Sequence, residues 1–194
     1  MSFSMSDPHH ELHSSIQRSA ALISSMTGQL DTIHAIGKAV VDALKSEHKI
    51  MTAGHGGSAA EALHMAEELV GRFKANRRAL PGICLAADPT LLTCIANDFG
   101  FEDLFPRQVE ALGQSGDVLV IFSTSGNGEG LKRAVQIAKS KKITTIGLLG
   151  KGGGILKGQT DHQLILSGDE TARIQEAHTV VMHLVLEMVE RAFV

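Results

Sequence analysis

The sequence contains no tryptophan and no tyrosine, and only seven phenylalanines. A stacking platform for single-stranded nucleic acid therefore lacks its usual aromatic residues. The two cysteines, Cys84 and Cys94, form no CxxC pair. That excludes a disulfide framework and a thiolate metal site. Both are expected as reduced, buried thiols of a cytoplasmic protein. No apolar run approaches the roughly 18 residues of a membrane span. The segment Met1 to Pro8 is polar, with no signal-peptide core. Basic blocks are also missing, and the formal net charge is −3. Neither a nucleic-acid partner nor a membrane partner is expected.

What is present suits one soluble domain of 194 residues, 43% hydrophobic and 20% charged. Residues 1–47 read as two helices. Asp7-Pro8 opens the first, with Leu12, Ile16, Ile23 and Met26 at helical spacing. Leu30, Ile33, Ile36, Val40, Val41 and Leu44 mark the second. From residue 48 the pattern alternates. Strands are expected at Lys49–Ala53, Ile83–Ala86, Asp117–Phe122, Ile143–Leu148 and Asp161–Leu166. Helices fall between them, and a long helix from Thr171 to Ala192 closes the chain. This predicts an α/β fold with a doubly wound, parallel five-stranded sheet and helices on both faces. The N-terminal helices remain as a candidate oligomer contact.

Two loops directly follow strands, so both lie on the carboxyl edge where such folds bind ligands. Gly54-His55-Gly56-Gly57-Ser58 permits close backbone approach and opens a helix, an anion-favouring arrangement. Ser123-Thr124-Ser125-Gly126-Asn127 adds three hydroxyl groups, suited to the oxygens of a phosphate. Gly54, Gly56 and Ala59 also satisfy a dinucleotide pattern, with Asp88 as the acidic partner. The spacing is long, however, and the polar connection at Lys74–Pro81 breaks the compact unit. On the helix after the first loop, His64 and Glu68 are four residues apart and share a face, with Glu67 adjacent. On the closing helix, Gln175 and His183 share a broad face through Thr179. Together these side chains offer nitrogen and oxygen donors to a divalent ion such as zinc.

Several segments together resemble the sugar isomerase (SIS) domain family, and within it the phosphoheptose isomerases. They are Gly-His-Gly-Gly-Ser58, the His64…Glu68 helix, Ala-Asn-Asp-Phe-Gly100, Ser-Thr-Ser-Gly-Asn127 and Arg-Ile-Gln-Glu176…His183. The resemblance runs in order from about residue 10 to the end of the chain. It implies a homotetramer with sites between subunits and zinc held by His64, Glu68, Gln175 and His183. It implies a sugar phosphate held by His55, Gly56, Gly57, Ser58, Glu68, Asn97, Asp98, Ser123, Thr124, Ser125, Gly128 and Gln175. The implied reaction converts sedoheptulose 7-phosphate to D-glycero-D-manno-heptose 7-phosphate, with Glu68 as base and His183 as acid. Two positions depart from the family: His55 stands where it carries Asn, and Gly128 where it carries Ser. A non-catalytic SIS module that binds a protein such as a replication initiator is the alternative. Such relatives lack the full ligand set.

Overall fold

The computed structural model describes residues 7–194. The reading of the polar N-terminus falls, for residues 1–6, outside the described residues. Helix α1 (Pro8–Ser25) begins as its sequence dictates: Asp7 accepts the His9 amide at 3.0 Å, and Pro8 occupies the first turn. A short 3-10 turn at Met26–Gln29 leads into α2 (Leu30–Lys45). The alternating part follows as β1 (Ile50–Gly54), α3 (Gly57–Val70), β2 (Gly82–Cys84) and α4 (Pro89–Asp98). It continues through α5 (Pro106–Leu112), β3 (Val118–Ser123), α6 (Glu129–Ser140) and β4 (Thr144–Leu149). Strand β5 (His162–Ile165) and α7 (Thr171–Phe193) complete it.

The five strands are all parallel, in the order β2-β1-β3-β4-β5. The pattern of β3 explains why helices cover both faces. Val118, Val120 and Phe122 join the core under α2, α3 and α7; Leu119 and Ile121 join the core under α4, α5 and α6. Strand order reverses between β1 and β3, so the loops after these two strands flank the switch point. At the opposite edge, the buried Asp117 carboxylate accepts the amides of Lys49 and Gln114 and pairs with the Lys49 ammonium. One side chain thus joins the starts of β1 and β3.

Helix α1 packs on α7 through its last turns, where Leu22 is buried. Leu12 and Ile16, in its first half, are 64% and 66% exposed. One expectation needs correction. Cys84 is buried, and burial pushes its thiol up from its ordinary range, but Cys94 lies on the exposed side of α4. Apolar neighbours in sequence did not fix its side of the helix. Asp88, the acidic residue of the dinucleotide pattern set aside above, accepts the amides of Thr90 and Leu91 as the N-cap of α4. Among the described residues, no helix is long and apolar enough to cross a membrane.

The connection after α3 is held by Arg77, whose side chain is fully buried. Its guanidinium donates to the carbonyl oxygens of Glu68 (2.7 Å) and Leu69 (3.0 Å), capping the last turn of α3. It also donates to Glu190 of α7 at 3.3 Å, and Glu190 accepts the Ala75 amide as well. Arg77→Met leaves that carboxylate buried without its cation and uncaps α3. We expect a loss of about 3 kcal/mol in urea unfolding, with Glu190→Gln in the same background restoring part of it.

Candidate active site

Helix α3 starts directly at the switch point. Gly56 adopts φ +57 to turn the chain off β1, and the helix begins at Gly57. Beside this turn lies a cavity of about 220 Å³, lined by His55, Ser58, Phe122, Ser123, Thr124, Ser125, Asn127 and Gly128. Six of the residues named from the sequence meet here: His55, Ser58, Ser123, Thr124, Ser125 and Gly128. Ser123 is the most buried of the three hydroxyl residues, and its Oγ accepts the Gly126 amide at 3.0 Å. Thr124 and Ser125 are half-buried.

The hydroxyl loop is held from outside by a second turn. Lys151–Leu156 forms a kinked 3-10 turn in which Gly152, Gly153 and Gly154 all have positive φ. Leu156 donates its amide to the Gly126 carbonyl at 3.0 Å, and Ile155 donates to Asn127 Oδ1 at 3.2 Å. Contact is so close that a Cβ at Gly126 would collide with the Gly153 carbonyl. The sequence reading missed Asn127 as a lining residue and as the pin between these turns, although it lies within the loop motif.

His55 stacks on Phe101 with ring centroids 5.0 Å apart and lies against Phe105 at the same distance. These rings come from beyond α4, far from His55 in sequence, so no spacing rule could announce them. Burial among them lowers the His55 pKa below the usual 6.5, while Glu102 opposes the shift. Glu102 itself accepts the Gly130 amide at 2.5 Å, tying this turn to the start of α6.

Two turns down α3, His64 Nε2 and Glu68 Oε1 are 3.2 Å apart. One ligand atom each from His64, Glu67 and Glu68 lies within 4.8 Å of the others. His183 of α7 faces them: its ring is edge-on to His64 at 5.3 Å and stacks on Phe73 at 5.6 Å. Burial lowers the His183 pKa, helped by His64 and opposed by Glu68. The neutral imidazole that results is the form that binds metals or donates a neutral hydrogen bond. His64, Glu67 and Glu68 offer nitrogen and oxygen donors of the kind zinc takes, and His183 is not one of that cluster. Gln175 lies elsewhere on α7. It packs over Gly57, where any Cβ would strike its amide. Eight residues separate it from His183, about 12 Å along the helix. Within one chain Gln175 therefore joins the glycine loop rather than the His64–Glu68 pair. Asn97 and Asp98 are exposed on the last turn of α4, bonded to each other at 2.7 Å and outside the cavity.

A family model described as SIS domain matches residues 16–150. The phosphoheptose isomerase of a Nitratiruptor species is 50% identical over 153 residues, 79% of this chain and 82% of its own. That of Citrifermentans bemidjiense is 43% identical over 182 residues, covering 93% of this chain and 95% of its own. The chain belongs to the phosphoheptose isomerase family of SIS domains. A solved phosphoheptose isomerase from Neisseria gonorrhoeae superposes with a TM-score of 0.90 at 32% identity, over 95% of this chain and 100% of its own. One from Francisella tularensis gives 0.92 at 29% identity, over 96% and 100%. With relatives this similar over this length, the chain is an enzyme of the isomerase class.

Two measurements test the site as built. Gly126→Ala forces a Cβ into the Gly153 carbonyl at positive φ, and should cost about 2 kcal/mol or more in urea unfolding. Both His55 and His183 resist protonation when folded but titrate near 6.5 when unfolded. The unfolded chain therefore takes up protons that the folded one refuses. The melting temperature should fall as pH drops below 6.5 towards their lowered folded values, and His55→Gln should flatten that slope.

Proposed function

We propose that the chain interconverts sedoheptulose 7-phosphate and D-glycero-D-manno-heptose 7-phosphate, as a zinc-dependent homotetramer of the cytoplasm that supplies heptose for bacterial surface polysaccharide. The observation that carries this reading is the facing of His64 by His183, with Glu68 paired to His64, on the helix that starts at the hydroxyl-lined cavity. Relatives that share 50% and 43% of their aligned residues with this chain carry the name phosphoheptose isomerase. Ser58 lines the cavity, and His64 lies six residues on, about 9 Å along the helix. An extended seven-carbon chain covers that distance between its phosphate and carbonyl ends.

In this reading Thr124 and Ser125 donate to the phosphate through their hydroxyl groups, with Ser123 behind them and the Gly128 amide alongside. His55, Gly56, Gly57, Ser58 and Gln175 meet the sugar where it passes the glycine loop. Glu68 removes the proton from the carbon next to the carbonyl and returns it to the former carbonyl carbon. His183, as a neutral imidazole, donates N–H to the carbonyl oxygen while an enediol forms, then recovers a proton from the neighbouring hydroxyl. His64, Glu68 and His183 would hold zinc, which supplies positive charge next to the developing enediolate. Sites shared between subunits give a physical route for Asn97, Asp98 and the proposed ligand role of Gln175, which one chain leaves apart. Leu12 and Ile16 of α1 offer exposed apolar area for such an assembly.

A coupled assay on sedoheptulose 7-phosphate, with and without chelator, tests the reading: chelation should abolish turnover and added zinc restore it. Glu68→Gln should lower kcat about 100-fold or more with KM changed little; a near-normal kcat removes Glu68 as the base. Ser125→Ala should raise KM about tenfold, the loss of one charge-assisted hydrogen bond, and leave kcat near the parent value.

A further inference from the structure

Helices α3 and α7 carry the facing side chains of the site, and the side chains between them bear on how far one sits along the other. Arg77 and Glu190 hold one end. Towards the other end, Glu61 of α3 meets His178 of α7. Glu61 lies one turn after Ser58 and one turn before His64; His178 lies one turn after Gln175. Glu61 is 7% exposed and His178 is fully buried. Glu61 Oε1 and His178 Nδ1 are 3.6 Å apart, beyond ordinary hydrogen-bond reach. Both carboxylate oxygens and both ring nitrogens lack a hydrogen-bond partner among the described residues. Around them the core is apolar. The Phe122 ring stands edge-on to His178 at 6.3 Å, and Ala62, Met65, Val181 and Met182 belong to the same cluster.

As packing, this pair is a poor solution. Buried polar groups normally find partners, and well-packed apolar side chains in their place are often more stable. Its position gives it a use. If α3 slid one step along α7, Glu61 and His178 would each face apolar atoms alone, which costs far more than leaving them face to face. Only one register keeps the two together, and it is the register that places His64 5.3 Å from His183. We propose that Glu61 and His178 are a positioning pair that fixes the register of α3 against α7, and with it the spacing of His64 and Glu68 from His183. The proposal rests on the reading of those three residues as the reacting and ligating set.

The test is the volume-matched apolar double variant Glu61→Met/His178→Leu. It should melt at or above the parent temperature, while kcat and zinc affinity each fall about tenfold or more. The His64 and His183 imidazole resonances of the metal-free protein should move. A double variant with parent resonances, and with kcat and zinc affinity within about twofold of the parent, overturns the proposal. Should the double variant fail to fold, Glu61→Gln decides. It retains a polar partner for His178, so it should keep the parent resonances and kcat; a parent melting temperature with kcat about tenfold lower overturns a register role. The resonances are read without metal. If the parent neither binds zinc nor isomerises, the functional reading falls, and the positioning role is still decided by those shifts.

Discussion

The pairing of β1 with β3 is the constraint on which the rest depends. Five consecutive residue pairs, from Ile50↔Val118 to Gly54↔Phe122, join two strands buried along their whole length. Asp117 anchors their starts, so their ends finish level. The chain then leaves them in opposite directions across the sheet, and the cleft between the departing loops is the cavity. Both glycine loops and their helices are positioned by this one ladder. Nothing in the loops themselves has to find the other loop.

The helix pair α3 and α7 answers a different need. Both begin at the ligand edge and run under the same face of the sheet, so side chains match level by level. Gln175 lies with Gly57, His178 with Glu61, His183 with His64, and Glu190 with the connection at Ala75 and Arg77. The upper levels touch the glycine loop, and the middle ones carry the titrating groups. The lowest is a conventional cap. Polar residues placed at intervals along an apolar seam give the seam a scale, which a uniform stripe of leucines would lack.

Much of this was legible in the sequence, and the reasons are specific. A near-continuous apolar run marks β3 because both faces of a parallel strand are buried. Asp7-Pro8 marks the start of α1 because proline suits the first turn. The His64–Glu68 pair follows from helical spacing alone. What spacing cannot supply is level: Gln175 and His183 share a face of α7 but not a site, because eight residues of helix lie between them. Nor can it supply side. Cys94 sits among apolar neighbours yet faces outward, because Ile95 takes the inward position on α4. The rings of Phe101 and Phe105 reach His55 only through the tertiary fold. Similarly, Glu61 and His178 read as ordinary helix residues until the two helices are placed together.

The glycine turn behind the hydroxyl loop carries a consequence for affinity. Three successive left-handed residues at Gly152–Gly154, pinned by Asn127 and Leu156, leave the loop from Ser123 to Gly128 little freedom to relax. An anion arriving at that loop meets donors already in place, so little of its binding free energy is spent on ordering the chain. In the proposed reaction, the remainder is available further along the substrate, where the covalent change happens. A shortened analogue that keeps the anionic group but lacks the reacting carbons would occupy the cradle almost as well as the full-length compound, and so compete with it.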